Sequence, residues 1–156
     1  MSSAWRIAAL DVSYEALRIC RRDCSEGVGL VLADARFMPF KDGTFDAVFI
    51  FHVAGHLLLK ERLKLSAEAT RALKSGGGIY FREFEKGDMR FGSGEEVEPG
   101  TFRRGEGIIT HYFALEEVLE LFPKLEPQSV KEKRWSMRIK GRDFQRSEVH
   151  AVFKKG

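Results

Sequence analysis

The sequence predicts an α/β fold, in which a mostly parallel sheet with crossover helices ends in an antiparallel hairpin. Four short apolar runs alternate with segments of helical spacing, the pattern of parallel strands joined by helices. The runs are continuous rather than alternating, as expected of strands buried on both faces. Two further strand-like runs, residues 130–139 and 148–153, flank Lys140-Gly141 and predict the hairpin.

The first predicted unit is a strand followed by a helix. The apolar run 7–10 ends at Asp11, and Ser13 can then cap a helix. Three side chains share one face of that helix: Leu17, Cys20 and Cys24. Two cysteines are too few for a disulfide framework. We therefore expect a pair of buried, reduced thiols rather than a metal or redox site.

Two more strands follow in the first half of the chain. Gly27 and Gly29 interrupt the chain before the second apolar run, residues 30–33, which ends at Asp34. The third run covers residues 45–51 and predicts a buried strand.

The second half begins with a predicted helix over residues 57–74, which the glycines at 76–78 would end. Residues 79–84 form the fourth run. The polar, glycine-containing stretch 85–111 predicts a long functional loop, and residues 115–122 predict a short helix.

Length and composition favour a single domain over residues 1–156. The longest apolar run, residues 47–51, is far too short to span a membrane. The N-terminus has no apolar segment typical of a signal peptide. We therefore expect a cytoplasmic chain with neither a membrane nor DNA as partner.

Charge is concentrated at the C-terminal end. Residues 128–156 carry nine Lys and Arg against three Asp and Glu, whereas the rest of the chain carries 17 against 20. A basic segment on a mildly acidic body predicts an anionic partner, of which RNA is the first candidate. The alternative is a strand edge that Lys and Arg protect from aggregation.

Candidate binding residues lie where the predicted strands end, because ligands of open parallel sheets bind beyond the carboxyl ends of the strands. Asp11 can accept hydrogen bonds from ribose hydroxyls, and Asp34 from an adenine amino group. Phe51 and His52 could form a pocket wall. A single aspartate at such a point is more often a helix cap or turn residue, so the pair is the informative observation.

Several segments, in order along residues 7–84, resemble motifs of class I S-adenosylmethionine-dependent methyltransferases. They are Ala9-Leu10-Asp11-Val12-Ser13, Leu32-Ala33-Asp34-Ala35, Pro39-Phe40-Lys41-Asp42-Gly43-Thr44-Phe45-Asp46-Ala47-Val48, His56-Leu57 and Ala72-Leu73-Lys74-Ser75-Gly76-Gly77. The resemblance implies a Rossmann-like methyltransferase sheet and S-adenosylmethionine as cofactor. It also implies these cofactor-binding residues: Asp11, Val12, Asp34, Ala35, Phe51 and His52.

The second half is similar to the methyltransferase-like enzymes that make 3-methylcytidine in tRNA. The similarity lies in Arg82-Glu83-Phe84, Gly87-Asp88-Met89, Arg104-Gly105-Glu106-Gly107 and Tyr112-Phe113 followed by Glu116-Glu117. It implies tRNA as partner, methylation of a base with cytidine N3 favoured, and the following substrate-binding residues: Arg82, Arg104, Tyr112, Arg134, Arg138, Arg142 and Arg146. Glu83 and Glu106 stand where that group favours aspartate, so a related base or a small molecule remains an alternative substrate.

Methyl transfer requires little catalysis by side chains, because a sulfonium methyl group is already activated and positioning supplies most of the acceleration. No catalytic residue is therefore assigned. Three aromatic side chains could enclose a displaced base, with core packing as the alternative: Phe37, Phe84 and Tyr112. For three histidines, a structural role is favoured over base chemistry: His52, His56 and His111. No metal site is expected.

One element of the resembled family is missing from the sequence. That family begins with a strand and a glycine-rich turn that approaches the methionine half of the cofactor, whereas this sequence begins at what resembles the second strand. Three accounts are open. The chain could be part of a split gene, or it could be completed by a second copy of itself. It could also pair directly the strands that resemble the family's second and fourth, which are the first and third predicted here. In each case we expect weak or absent cofactor binding by the chain alone. The non-catalytic alternative is a degenerate methyltransferase-like domain that binds RNA or a catalytic partner.

Overall fold

The computed structural model describes residues 6–24 and 27–156. The chain divides into two compact units, residues 1–39 and 40–156, which are described separately below. Within the described residues no helix is both long and apolar enough to cross a membrane. The single-domain organisation stays a prediction.

The first unit is a strand–helix–strand motif. Strand β1 (Ile7–Asp11) pairs in parallel with β2 (Val28–Leu32), and helix α1 (Tyr14–Asp23) connects them. The predicted cap is confirmed, because the Ser13 Oγ accepts a hydrogen bond from the Ala16 N–H at 3.2 Å.

The cysteine prediction is only partly correct. Leu17 is buried, as predicted, but Cys20 is half-buried and Cys24 is exposed. Cys24 follows the last turn of α1 and has an extended backbone, so its side chain leaves the face that Leu17 buries. The two Sγ atoms lie 3.4 Å apart.

The second unit contains a four-stranded sheet in the order β3-β4-β9-β8. Strands β3 (Phe45–Phe51) and β4 (Leu73–Phe84) are parallel, and helix α2 (Leu59–Ala72) connects them. The predicted third strand is therefore confirmed residue for residue. Direct pairing of β1 with β3, one of the three accounts of the missing strand, stays a prediction.

The C-terminal hairpin is confirmed and is longer than predicted. Strand β8 (Glu126–Ile139) runs antiparallel to β9 (Arg142–Lys154). Lys140 has φ 47° and Gly141 φ 80°. Positive φ at both central residues matches the twist of the flanking strands, which is why a two-residue turn suffices here.

The predicted role of the glycines after α2 is wrong. The helix ends at Ala72, and the glycines at 76–78 lie within β4, at a register shift between β3 and β4. A Cβ on Gly77 would lie 2.9 Å from the Asp46 carbonyl oxygen. The glycines therefore allow a close strand approach rather than end the helix.

The predicted long loop contains a small antiparallel sheet. Its strands are β5 (Glu95–Glu98), β6 (Thr101–Arg104) and β7 (Ile108–His111). Turn glycines with positive φ, such as Gly100 at 75°, let the chain reverse between them. Helix α3 (Leu115–Leu121) follows, and its predicted range was one residue too long.

One face of the four-stranded sheet forms the core of the second unit. Ile50, Ile79 and Phe81 of β3 and β4 are buried. The ring centroid of Phe81 lies 5.4 Å from that of Phe113 and 5.7 Å from that of Phe122. Buried side chains of α2 and α3 complete this core: Leu65, Ala69, Val118 and Leu121.

Candidate functional site

The two predicted aspartates lie at the same end of the first unit. Asp11 is the last residue of β1 and lies opposite Leu32, and Asp34 follows two residues after Leu32. The Ala33 N–H donates to the Asp11 carbonyl oxygen at 3.1 Å and extends the pairing past β2. The structure thus brings the two acidic residues to the carboxyl ends of neighbouring parallel strands, where the sequence placed them.

The Asp11 side chain is held at the start of α1. Its Oδ1 accepts a hydrogen bond from the Ser13 N–H at 2.8 Å, and the intervening Val12 is exposed. An oriented carboxylate at a strand end has the chemistry to accept hydrogen bonds from a diol.

Asp34 has a partner that the sequence interpretation missed. Its Oδ2 accepts a hydrogen bond from Arg36 Nη2 at 2.6 Å, and its Oδ1 accepts from the Arg36 backbone N–H at 2.8 Å. Ala35 lies between them in a turn closed by the Phe37 N–H and the Asp34 carbonyl, 2.9 Å apart. The i, i+2 spacing of Asp34 and Arg36 was the signal in the sequence that could have predicted this pair. An adenine amino group would compete with Arg36 for this carboxylate.

In the second unit, His52 follows β3 in a strained conformation. It has φ 55°, which is unusual outside glycine. Its backbone N–H donates to the Arg82 carbonyl at 3.0 Å. Its ring centroid lies 4.8 Å from that of Phe84. Strain of this kind clusters at functional sites. The wall position of Phe51 and His52 stays a prediction.

Two carboxyl groups flank the His52 ring. Nε2 lies 3.2 Å from Glu148 Oε1, and Nδ1 lies 3.7 Å from Glu83 Oε2. The other Glu148 oxygen lies 2.9 Å from His150 Nε2. Burial lowers the pKa of His52, although the neighbouring Glu148 opposes that change. The ring is thus neutral at pH 7.

Glu83 is a buried acid that fixes the segment after β3. Its Oε1 accepts a hydrogen bond from the Gly55 N–H at 3.0 Å. Burial raises the pKa of Glu83 to about 8, so the side chain is mostly protonated at neutral pH. In the sequence, Glu83 was notable only because it stands where the resembled enzymes favour aspartate. Its burial depends on tertiary packing, which the sequence pattern does not show.

The predicted substrate-binding residues before the hairpin differ in accessibility. Arg82 is half-buried, with its guanidinium 4.4 Å from the Phe51 ring centroid. Arg104 is half-buried and lies 3.4 Å from Thr110 Oγ1. Tyr112 is fully enclosed, which favours the alternative of core packing over direct binding to a base.

The four arginines of the hairpin also divide into two groups. Arg134, Arg138 and Arg142 are exposed, whereas Arg146 is buried. The Arg146 Nε lies 2.6 Å from Asp88 Oδ2, so this side chain is occupied inside the fold and is not available to a phosphate. The prediction of substrate binding thus fails for Arg146 in this structure, because β9 turns that position inward.

The other two histidines have structural partners. His56 Nδ1 lies 2.9 Å from the Ile109 carbonyl oxygen, and the buried His111 lies 2.7 Å from Thr101 Oγ1. These interactions favour the structural role proposed from the sequence. Among the described residues no group of three or more histidine, cysteine or acidic side chains could hold a metal.

A family model described as a methyltransferase domain matches residues 1–81, just over half of the chain. The chain belongs to this methyltransferase family. Solved structures agree with the predicted fold of this methyltransferase chain. A SAM-dependent methyltransferase from Methanosarcina mazei has a TM-score of 0.76 at 22% identity, and the match covers 95% of this chain and 81% of that one. Another, from Anabaena variabilis, has a TM-score of 0.73 at 19% identity, covering 97% and 68%.

Curated relatives of the methyltransferase chain include tRNA-modifying enzymes. A tRNA N(3)-methylcytidine methyltransferase from Drosophila melanogaster is 24% identical over 164 residues, which cover 96% of this chain and 50% of that protein. A tRNA N(3)-cytidine methyltransferase from Gallus gallus is 25% identical over 123 residues, which cover 77% and 32%. This chain spans no more than half the length of either relative.

Proposed function

We propose that the chain forms part of an S-adenosylmethionine-dependent methyltransferase that modifies a tRNA base, with cytidine N3 as the favoured acceptor. The observation that carries the proposal is the pair of aspartates at the ends of neighbouring parallel strands. Family membership supports the reaction class. The curated relatives that act on tRNA support the substrate class, as does the basic hairpin.

The residues present fit the adenosine half of the cofactor. Asp11 would accept hydrogen bonds from the ribose hydroxyls beside Val12, and Asp34 would accept from the adenine amino group, with the Ala35 backbone at its ring nitrogen. The wall role of Phe51 and His52, which lie in the second unit, stays a prediction from the resemblance. When bound, S-adenosylmethionine supplies a methyl group that its sulfonium already activates. Positioning of the acceptor is then the main task of this chain.

The methionine half of the cofactor has no equivalent support, because no glycine-rich turn follows β1, β2 or β3 in the described residues. Val12 and Ser13 follow β1, Gly27 precedes β2 and Gly29 lies within it. Weak or absent binding of S-adenosylmethionine by the isolated chain is therefore expected. Isothermal titration that gave micromolar affinity for the monomer would contradict this expectation.

Labelled methyl transfer tests the proposed reaction. The chain is incubated with tritiated S-adenosylmethionine and bulk tRNA, alone and with the unmatched part of the Methanosarcina protein, and the tRNA is digested to nucleosides. Label in 3-methylcytidine is the expected result, and label in another nucleoside would reassign the base. Salt-dependent tRNA binding without any transfer would instead indicate a non-catalytic RNA-binding domain. If tRNA is not bound, the small-molecule alternative replaces the proposal.

The hairpin arginines provide a separate prediction about tRNA binding. Replacing Arg138 and Arg142 with glutamine should reduce the slope of log affinity against log salt by about 0.7–0.9 for each phosphate that is no longer neutralised. Fluorescence anisotropy with labelled tRNA at several salt concentrations measures this slope. Arg103→Gln is the matched control, because Arg103 is an exposed arginine on another strand. Equal effects of the three substitutions would show that the hairpin has no special role.

A further inference from the structure

The end of helix α1 brings the two cysteines of the chain together. Cys20 lies in the last turn of the helix, and Cys24 follows the helix as its C-cap residue. The Cys24 N–H donates a hydrogen bond to the Cys20 carbonyl oxygen at 2.8 Å, which closes this turn. The two Sγ atoms lie 3.4 Å apart, within the range of a thiol hydrogen bond. We call Cys20 and Cys24 the thiol pair.

One member of the thiol pair is accessible to reagents in solution. Cys24 is exposed and Cys20 is half-buried. The sequence predicted buried, reduced thiols, and buried cysteines are structural and seldom react. Because the burial fails for Cys24, the reason to expect an unreactive pair fails with it.

The hydrogen bond makes the two thiols chemically unequal. It raises the pKa of the Cys20 thiol, and desolvation of that thiol raises the pKa further. Cys20 therefore keeps its proton and donates it to the Cys24 sulfur. The thiolate is the attacking species in thiol chemistry, so the exposed Cys24 is the thiol that reacts first.

A bond between the two sulfur atoms requires little movement. The S–S bond of a disulfide is about 2.05 Å long, so the two atoms must approach by about 1.4 Å from their present separation of 3.4 Å. Helix α1 ends at Asp23, so no further helical turn holds Cys24. Rotation of the side chains and a small shift of this last residue can supply the approach.

The thiol pair lies apart from the proposed cofactor site. Asp11 and Ser13 are at the start of α1, and the ten residues of this helix span about 15 Å. Reaction of the thiols therefore uses none of the residues assigned to S-adenosylmethionine.

We propose that Cys20 and Cys24 form a redox-active dithiol that exchanges with low-molecular-weight disulfides, such as glutathione disulfide, and closes to an intramolecular disulfide. The Cys24 thiolate attacks one sulfur of the small disulfide, whose S–S bond breaks and releases one thiolate. Cys20 then loses its proton and attacks the Cys24 sulfur of the mixed disulfide, which releases the second thiolate. The dithiol loses two electrons, and the small disulfide gains them and takes up the two protons as two thiols.

The short chain segment between the two cysteines makes this disulfide a reversible one. A bond that closes so small a loop removes little entropy from the unfolded chain and adds little stability. Exposed disulfides are also the ones that thiols reduce readily. The thiol pair would thus follow the ratio of disulfide to thiol in its surroundings rather than act as a permanent cross-link.

Digestion with trypsin provides a direct test, because Arg21 and Arg22 separate the two cysteines. The reduced chain is incubated with glutathione disulfide, the remaining thiols are alkylated, and the monomer is isolated and digested. Cleavage after either arginine gives two peptides, which stay joined only through a disulfide between Cys20 and Cys24. Mass spectrometry should show joined peptides from the oxidised chain and separate peptides after reduction.

Single substitutions test the order of the two steps. Cys20→Ser should stop at the mixed disulfide, with glutathione on Cys24, because no second thiol can displace it. Cys24→Ser should take up glutathione about threefold more slowly or less, because its remaining thiol is half-buried. Neither substitution removes a buried side chain, so both variants should fold.

The matched control is the same chain unfolded in urea, which keeps the sequence spacing of the thiols but not their position at the end of α1. Equilibration in buffers of reduced and oxidised glutathione gives the effective concentration of one thiol at the other. This concentration should be about tenfold higher in the folded chain, because the fold already holds the sulfur atoms together.

Joined peptides from the monomer, with a trapped mixed disulfide in Cys20→Ser, support the proposal. A chain that stays unreacted, that keeps glutathione on Cys24 with Cys20 present, or that cross-links to a second copy would overturn it. Equal effective concentrations in the folded and unfolded chains would overturn it as well, because the helix end would then contribute nothing.

Discussion

Replacing Asp88 with alanine is expected to lower the free energy of unfolding by about 3–5 kcal/mol, because it leaves a buried charge without a partner. The Asp88 and Arg146 side chains are 0% and 6% exposed, and Oδ2 and Nε lie 2.6 Å apart. The same oxygen accepts a hydrogen bond from the Ser147 N–H at 3.2 Å. Loss of the carboxylate therefore removes the partner of two buried donors.

The packing around Arg146 adds to the effect. Its guanidinium lies 4.9 Å from the Phe84 ring centroid and 5.7 Å from that of Trp135. The two rings help to cover the guanidinium, whose side chain is only 6% exposed. Asp88 lies in the loop after β4 and Arg146 on β9, so the pair joins segments 58 residues apart in sequence.

Urea denaturation followed by circular dichroism measures this prediction. Asp143→Ala provides the control, because the Arg138–Asp143 pair is 70% and 59% exposed. Exposed pairs contribute about 0–1 kcal/mol. A decrease below about 1 kcal/mol for Asp88→Ala would contradict the buried ion pair.

The sequence sufficed for the elements that depend on local signals. The cap at Ser13 and the turn at Lys140-Gly141 follow from local backbone chemistry, and both are confirmed. The strand 45–51 was found from its unbroken apolar run. The placement of Asp11 and Asp34 followed from the rule that parallel strands end at one edge of a sheet.

The sequence did not predict the features that depend on long-range packing. The small sheet β5-β6-β7 consists of four-residue strands rich in polar side chains, so no apolar run marks it. The inward position of Arg146 depends on the register of β9 against β4 and on Asp88 across the fold. No local pattern separates Arg146 from the three exposed arginines of the hairpin.

Glu83→Gln is expected to stabilise the protein at pH 8 by several kcal/mol, on the order of 3–5. Burial raises the pKa of Glu83 from 4.5 to about 8 in the folded chain. As the pH rises from 4.5 to 8, the unfolded chain releases this proton while the folded chain retains it. Stability therefore falls across that window and levels off above pH 8.

Glutamine preserves the geometry while it removes the titration. Its amide oxygen can accept the hydrogen bond from the Gly55 N–H that Glu83 Oε1 now accepts at 3.0 Å. Its amide nitrogen would face His52 Nδ1, which lies 3.7 Å from Glu83 Oε2 and has no hydrogen-bond partner among the described residues. The variant thus avoids placing a buried charge near Glu148.

The pH range of the experiment must separate the effect of Glu83 titration on stability from that of His52 titration. Because the pKa of His52 is lowered, His52 destabilises the fold as the pH falls below about 6.5, opposite in direction to Glu83. The comparison is therefore made from pH 6.5 to 9 by urea denaturation, with the exposed Glu126→Gln as control. Other charged groups near His52 are Arg82, Glu148 and His56, and all remain in both proteins. A decline with pH that persists unchanged in Glu83→Gln would place the titrating group elsewhere, because only the carboxyl group of residue 83 distinguishes the two proteins.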